Sequence, residues 1–179
     1  MNYATLKRHD IANGPGVRVS LFVSGCEHHC KGCFNPETWD FNYGKPFTGD
    51  MMDKIVRACN HDFIAGLSLL GGEPMHPANQ ATVLRVMKTF RNVFPHKTIW
   101  CYTGYLFEDL RDGKVGDPAV VKEMLSLIDV LVDGEFHEAE KDLNLRFRGS
   151  RNQRLIRAAD SLKAGTILLW EDEETEKKD

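Results

Sequence analysis

Three cysteines lie close together near the start of the chain, in the stretch CEHHCKGCFN (residues 26–35). Cys26, Cys30 and Cys33 follow C-x3-C-x2-C spacing, and neighbours this close converge on one metal centre only from an irregular loop. A 4Fe-4S cluster normally takes four thiolates, so three thiolates would leave one iron without a protein ligand. A substrate or cofactor can bind that open iron. The spacing therefore favours a cluster that does chemistry over one that only carries electrons.

The alternative is a zinc site with three cysteines and one histidine, in which His28 or His29 supplies the fourth ligand. Zinc ligands usually come as two separated pairs, however, and the sequence has no second pair. The remaining cysteines, Cys59 and Cys101, fall in an apolar helix stripe and in a strand, which predicts buried core thiols. We expect both histidines to face solvent.

The composition is that of an ordinary globular protein with a hydrophobic core, since 42% of the 179 residues are hydrophobic and 27% are charged. The length favours one domain, residues 1–170. An almost wholly charged tail, residues 171–179, follows it, and we expect this tail to be disordered. The formal net charge of −3 gives no indication of a nucleic-acid partner.

The sequence also gives no indication of a membrane protein or a secreted protein. No apolar run approaches the roughly 18 residues that span a bilayer, and the N-terminal stretch lacks the apolar segment of a secretory signal. Five cysteines is an odd number, which argues against a set of disulfides. We therefore expect a cytoplasmic protein with reduced thiols and no membrane partner.

Apolar patterns divide the chain into alternating strands and helices. Val17–Val23 alternates apolar and polar residues with a period of two, which predicts a strand. Apolar residues at helical spacing follow Asp50, an expected N-cap, and also follow Pro77 and Pro118, which suit the first position of a helix. The other predicted strands are residues 66–70, 98–102, 129–133 and 165–170.

Strands that alternate with helices predict βαβ units and a mostly parallel sheet. The unusual motifs follow these strands: the cysteines follow the first, GGEP the second, TGY the third and DGEF the fourth. Parallel α/β folds build their sites at the carboxyl ends of strands, so we expect these motifs to meet there. The chain is too short for eight βα units, which favours an α/β fold with a partial, open parallel β/α barrel.

The cysteine spacing after the first strand, together with a Gly-Gly-acid-Pro turn after the second, resembles the radical S-adenosylmethionine (SAM) enzymes. Within that superfamily the chain resembles the activating proteins of anaerobic ribonucleoside-triphosphate reductases, over residues 2–154. The resemblance implies the partial barrel of radical SAM enzymes. The segments that carry it are DIANGPGVRVSLFVSGC, CKGCFNPETWDF, GGEPMHP, IWCYTGY, IDVLVDGEF and FRGSRNQR.

The resemblance also implies a reaction and its partners. Cys26, Cys30 and Cys33 would hold a 4Fe-4S cluster whose open iron binds SAM. One electron from an external donor, such as a flavodoxin, would cleave SAM into methionine and a 5′-deoxyadenosyl radical. That radical would take a hydrogen atom from a glycine in the large subunit of the reductase and leave a glycyl radical there.

Two groups of residues would contact SAM according to the resemblance. The GGEP turn would meet its amino group, through a backbone carbonyl or through the carboxylate of Glu73, and the end of the cysteine stretch would line the adenine side. Taken by itself, GGEP is also typical of a plain strand-to-helix turn. The implied SAM-binding residues are Gly71, Gly72 and Glu73 in the turn, and Gly32, Cys33 and Phe34 in the cysteine stretch.

Other polar residues give weaker signals. Tyr102, Thr103 and Asp133 end predicted strands and are candidates for contacts with the ribose or the carboxylate of SAM. We expect Arg18 to be a solvated or paired surface side chain, and RFRGSRNQR (residues 146–154) to be a basic loop that faces an acidic surface of a partner protein. Two alternatives to the activase stay open. One is a radical SAM enzyme that acts on a small molecule, and the other is a non-enzymatic zinc or electron-transfer protein.

Overall fold

Within residues 1–172, which the computed structural model describes, seven strands form one sheet. Of the expected disordered tail, residues 173–179 lie outside the described residues, so that expectation stays a prediction. The strands are β1 (Asn2–Asp10), β2 (Val17–Val23), β3 (Lys45–Pro46), β4 (Ile64–Gly71), β5 (Thr98–Tyr102), β6 (Val130–Asp133) and β7 (Arg154–Ile156).

The strand order in the sheet is β3-β1-β2-β4-β5-β6-β7. The central strands β2, β4, β5 and β6 run parallel to one another, whereas β1, β3 and β7 pair antiparallel at the two sides. The sheet does not close on itself, so the expectation of an open α/β fold is confirmed, and parallel pairing holds for its centre. The finer expectation of a barrel of the radical SAM type stays a prediction.

The antiparallel strands on the two sides of the sheet differ from the sequence-based expectation. The sequence pattern does not predict β1, because charged residues such as Lys7 and Arg8 interrupt its apolar alternation. The predicted strand 165–170 is wrong, since among the described residues this segment contributes an isolated bridge between Leu169 and Ile156 instead of a strand. The edge beside β6 is taken by β7, which is three residues long and too short to show a period.

The helices begin close to the predicted positions. Pro77 and Pro118 stand at the start of α2 and α4, as the sequence predicts. The predicted N-cap Asp50 is wrong, because Thr48 takes the cap position and Asp50 lies in the first turn of α1. No helix in residues 1–172 combines the length and the apolar character needed to cross a membrane. The helices are α1 (Gly49–Cys59), α2 (Pro77–Val93), α3 (Phe107–Arg111), α4 (Pro118–Leu127) and α5 (Ala158–Ala164).

The main hydrophobic core lies between one face of the sheet and the helices. Val19, Leu21 and Val23 of β2 point into this core because successive strand side chains alternate between the two faces. There they meet apolar side chains of α1, α2 and α4. Cys59 and Cys101 are fully buried in the same core, which confirms the prediction that they are core thiols.

Arg18 departs from its expected place on the surface, because its side chain is fully buried. Its guanidinium donates to the hydroxyls of Ser68 and Thr98, at 2.8 and 2.9 Å, and to the carbonyls of Leu67 and Thr98, at 2.9 and 3.0 Å. Gly66 leaves room for it, since a Cβ there would lie 2.7 Å from Nη2. The expectation of a surface arginine is therefore wrong, and Arg18 instead ties β2 to β4 and β5.

We expect Arg18→Met to lower the free energy of unfolding by roughly 3 kcal/mol or more, because it leaves buried carbonyl and hydroxyl groups without their donor. Urea denaturation followed by circular dichroism measures the change. The matched control is Arg8→Met, at an exposed position of β1, which should change stability by less than about 0.5 kcal/mol. Equal effects of the two substitutions would contradict the role given to Arg18.

Candidate metal centre

The cysteine loop (residues 26–35) begins shortly after β2 and is held by main-chain contacts to the segment that follows it. Gly25 adopts a φ of +99°, a region that favours glycine. Gly25 N donates to the carbonyl of Thr38 at 2.7 Å, and Cys26 N donates to that of Trp39 at 3.2 Å. The short 3-10 helix Pro36–Trp39 thereby supports the base of the loop.

All three cysteines of the loop line one cavity of about 490 Å³ near the carboxyl ends of the parallel strands. Ordinary small-molecule sites have volumes of roughly 300–1,000 Å³, so the cavity has the size of a cofactor site. Gly32 is not part of the lining. It adopts a left-handed φ of +74°, and a Cβ there would lie 3.0 Å from Glu138 Oε1. The other residues predicted for SAM line the same cavity as the cysteines, namely Cys33, Phe34, Gly71, Gly72 and Glu73.

The thiols of the cysteine loop are free and partly exposed. Burial raises the pKa of Cys26 to about 12, and it also raises the pKa of Cys30 above its usual value. A raised pKa disfavours the free thiolate forms of Cys26 and Cys30. A metal centre would stabilise the thiolates, and Asn35 N lies 3.4 Å from the sulfur of Cys33 as a donor. The donor set fits a thiolate-bound metal centre.

The three cysteines fit a 4Fe-4S cluster, because they line one cavity of cofactor size and can offer it three thiolates. Within residues 1–172, no group of three His, Cys, Asp or Glu side chains is arranged as the site of a single metal ion.

His28 differs from the solvent-facing residue that the sequence predicts. Its side chain is 12% exposed, with Nε2 2.9 Å from Glu73 Oε2 and Nδ1 3.0 Å from Glu135 Oε1. Burial lowers the pKa of His28, but the hydrogen bonds and charges of the two carboxylates outweigh this effect and raise that pKa. Since both ring nitrogens are engaged, His28 does not fit the role of a fourth zinc ligand. His29 is exposed, as predicted, and packs edge-on against Trp39.

Glu73 of the GGEP turn is 1% exposed and binds other parts of the chain. Its Oε1 accepts a hydrogen bond from Met75 N at 2.8 Å. Its Oε2 accepts one from Gly104 N at 2.7 Å and also faces His28. The carboxylate therefore joins the turn after β4 to the loop after β5 and to the cysteine loop.

The two glycines of the turn allow close packing of backbone on backbone. A Cβ at Gly71 would lie 2.8 Å from the carbonyl oxygen of Val23, and one at Gly72 would lie 2.7 Å from that of Gly25. Gly72 N donates to the Val23 carbonyl and Glu73 N donates to the Gly25 carbonyl, both at 2.8 Å. The turn and the start of the cysteine loop are therefore one hydrogen-bonded unit.

Asp133, one of the weaker candidates, is engaged by other residues of the chain. It is fully buried and accepts hydrogen bonds from Phe107 N at 2.8 Å and from Arg154 Nε at 3.0 Å. Arg154 also donates to Glu108, whose pKa it lowers to about 2. This end of the basic stretch 146–154 therefore holds β6 and α3 together, and the prediction that the stretch faces a partner is not tested.

Tyr102 and Thr103, the other weaker candidates, lie at the cavity. The hydroxyl of Thr103 accepts a hydrogen bond from Tyr105 N at 3.1 Å. The Tyr102 hydroxyl is buried and has no hydrogen-bond partner among the described residues. Their contacts with a ligand stay predictions.

The fold and the cysteine loop define a class of protein. Residues 12–156 match a family described as a 4Fe-4S single cluster domain. The matched range includes the cysteine loop, the GGEP turn and all four parallel strands. An open α/β sheet with one cysteine loop at the carboxyl ends of its strands is thus a domain for a single 4Fe-4S cluster.

Similar proteins narrow this class further. The chain is 44% identical over 155 residues to the anaerobic ribonucleoside-triphosphate reductase-activating protein of Vibrio cholerae, which covers 86% of this chain and 96% of that protein. The protein of the same name from Escherichia coli K12 gives the same identity and coverage. The one from Enterobacteria phage T4 is 38% identical over 164 residues, with coverage of 90% and 97%. The chain belongs to the family of anaerobic ribonucleoside-triphosphate reductase-activating proteins.

Gly72→Ala should destabilise the protein, because its Cβ would press on the carbonyl oxygen of Gly25. We expect a loss of about 1–3 kcal/mol in the free energy of unfolding, measured by urea denaturation. Gly49→Ala, at the start of α1, is the matched control because a Cβ there has nothing within 4 Å. The packing described for the turn would be refuted by a Gly72→Ala variant as stable as Gly49→Ala.

Proposed function

We propose that this protein is a radical SAM activase of anaerobic ribonucleoside-triphosphate reductase. In this proposal Cys26, Cys30 and Cys33 hold a 4Fe-4S cluster, SAM binds its open iron, and a glycyl radical forms on the large subunit of the reductase. The observation that carries the proposal is that only three of the five cysteines share the cavity with the GGEP turn. The names of the relatives support the choice of reductase.

The other candidate side chains for the fourth iron are engaged elsewhere. Cys59 and Cys101 are fully buried in the hydrophobic core, and burial raises the pKa of both thiols. His28 faces two carboxylates through its two ring nitrogens. These contacts support a proposal in which the remaining iron binds the amino and carboxylate groups of SAM.

When bound, the cluster and SAM would supply the radical chemistry that removes a hydrogen atom from the glycine, with one electron from an external donor. The residues of this chain would bind and orient the cluster and SAM. Because the Glu73 carboxylate already accepts two amide hydrogens, we assign it to shaping the turn and assign the main chain of the turn to the amino group of SAM. The main chain of Gly71, Gly72 and Glu73 is assigned to the amino group, and Cys33 and Phe34 are assigned to the adenine side. Gly32, which is not part of the cavity lining, is assigned to the turn of the loop between Cys30 and Cys33.

A protein substrate is supported by apolar side chains around the cavity. Ile11, Phe34 and Leu143 are 76%, 61% and 86% exposed. Phe34 and Leu143 line the cavity, and so does Ala12, the neighbour of Ile11. Exposed apolar side chains that rim a cavity are typical of an interaction site, and a small-molecule substrate does not need them. We therefore favour the large reductase subunit over a small molecule as the substrate.

The electron for the reaction has to come from outside the chain. Three cysteines serve the one cluster, and the remaining two are separate core thiols, so the sequence holds no cysteine set for a second cluster. We propose an external one-electron donor such as a flavodoxin and a place in the cytoplasm, where thiols stay reduced. We also propose that the open sheet, with its four parallel central strands, is the partial barrel of radical SAM enzymes.

Single replacements of Cys26, Cys30 or Cys33 by Ala should abolish SAM cleavage, because the cluster would lose one of its three thiolates. Cys59→Ala and Cys101→Ala should retain both the cluster and SAM cleavage, although they create small cavities in the core. Iron and sulfide analysis after anaerobic reconstitution, together with chromatography of the cleaved SAM, measures both properties. Loss of the cluster in Cys101→Ala would overturn the ligand assignment.

Electron paramagnetic resonance of the protein mixed with the large reductase subunit, SAM and a reductant tests the proposed function. We expect a doublet signal from a glycyl radical on the large subunit. The signal should be absent when SAM is omitted and when Cys30→Ala replaces the native chain. Cleavage of SAM without any radical on the large subunit would favour a small-molecule substrate instead.

A further inference from the structure

His28 is not a ligand in the proposed reaction, yet its side chain connects the cysteine loop to the rest of the site. It lies two residues after Cys26 and two residues before Cys30. Its Nε2 is 2.9 Å from Glu73 Oε2 and its Nδ1 is 3.0 Å from Glu135 Oε1. A shift of this imidazole would therefore move both neighbouring thiols relative to the strands.

The imidazole of His28 also packs closely against Gly104 and Tyr105. Its ring meets Tyr105 edge-on with the ring centroids 4.6 Å apart. A Cβ at Gly104 would lie 2.6 Å from two ring atoms of His28, so only glycine leaves space for the ring there. The loop after β5 thereby holds His28 from two sides.

Glu73 connects His28 to the GGEP turn, which is proposed to bind SAM. The same carboxylate oxygen that faces His28 accepts the hydrogen bond from Gly104 N, and the other oxygen accepts from Met75 N. Glu73 is 1% exposed, so water does not readily replace a lost partner. Removal of the imidazole would leave a buried carboxylate short of one donor and free the turn to move.

We propose that His28 is a positioning residue that fixes the cysteine loop against the GGEP turn, so that cluster and SAM are held in one relative orientation. This inference rests on the proposed function, because it takes Cys26, Cys30 and Cys33 as the cluster ligands. Residues that orient metal ligands from the second layer of a site typically change metal affinity or activity by about 10- to 100-fold when replaced. Glu135 holds the second nitrogen of the ring and thereby sets its orientation.

Three variants of the full chain separate this role from a general effect on the loop. His28→Ala removes both contacts, and His28→Gln keeps a donor that can face Glu73 but gives up Glu135. His29→Ala is the matched control, since it removes the adjacent exposed histidine of the same loop. Thermal denaturation of each variant identifies any that fail to fold, and His28→Gln carries the test if His28→Ala does not fold.

The first measurement is the change that SAM produces in the electron paramagnetic resonance spectrum of the reduced cluster, titrated with SAM after anaerobic reconstitution. We expect His28→Ala to bind SAM about 10- to 100-fold more weakly, with His28→Gln between it and the native protein. His29→Ala should titrate like the native protein. Equal titrations for His28→Ala and His29→Ala would overturn the proposal, whether both are normal or both are weakened.

The second measurement is amide hydrogen exchange of the same proteins without cluster, which does not depend on the proposed function. We expect faster exchange in the cysteine loop and at Gly104 in His28→Ala, and no such change in His29→Ala. Unchanged exchange in His28→Ala would overturn the positioning role. If the native protein forms no cluster at all, the proposed function fails, and exchange at Gly104 alone decides whether His28 holds the loop.

Discussion

The site depends on the parallel pairing of β2 with β4. Their register places Val23 beside Gly71, so the cysteine loop and the GGEP turn leave the sheet side by side. Two hydrogen bonds at 2.8 Å, from Gly72 N to Val23 O and from Glu73 N to Gly25 O, continue the pairing past the strands. Glycines are required because side chains on the turn would separate the two backbones. Three thiols and the GGEP turn thereby share one cavity.

Buried polar side chains fix the two ends of the same strands. Arg18 ties β2 to β4 and β5 through hydrogen bonds to uncharged acceptors. These bonds take the place of the hydrogen bonds to water that the guanidinium loses when it is buried. At the opposite end, His28 and Glu73 tie the cysteine loop to the loops after β4 and β5. The parallel strands are therefore tied to their neighbours at both ends by buried side chains, and such ties restrict the relative movement of the loops that form the site.

The sequence predicts the parts of this arrangement that depend on local patterns. The strand Thr98–Tyr102, the helix starts at Pro77 and Pro118 and the meeting of motifs at the strand ends follow from periodicity and proline position. Arg18 and His28 are placed differently from the prediction, because their partners lie tens of residues away and no local pattern records them. The antiparallel strands β1 and β7 also escape prediction, since charged residues interrupt the apolar alternation of β1 and β7 has only three residues.

The central claim is that three thiolates hold a 4Fe-4S cluster and leave one iron open to SAM. Mössbauer spectroscopy of the isotopically labelled, oxygen-free protein tests it most directly, because it distinguishes the irons of one cluster. The account predicts that addition of SAM changes the signal of a single iron and leaves the other three as they were. Irons that all remain unchanged on addition of SAM, or a protein that binds no iron under these conditions, would contradict it.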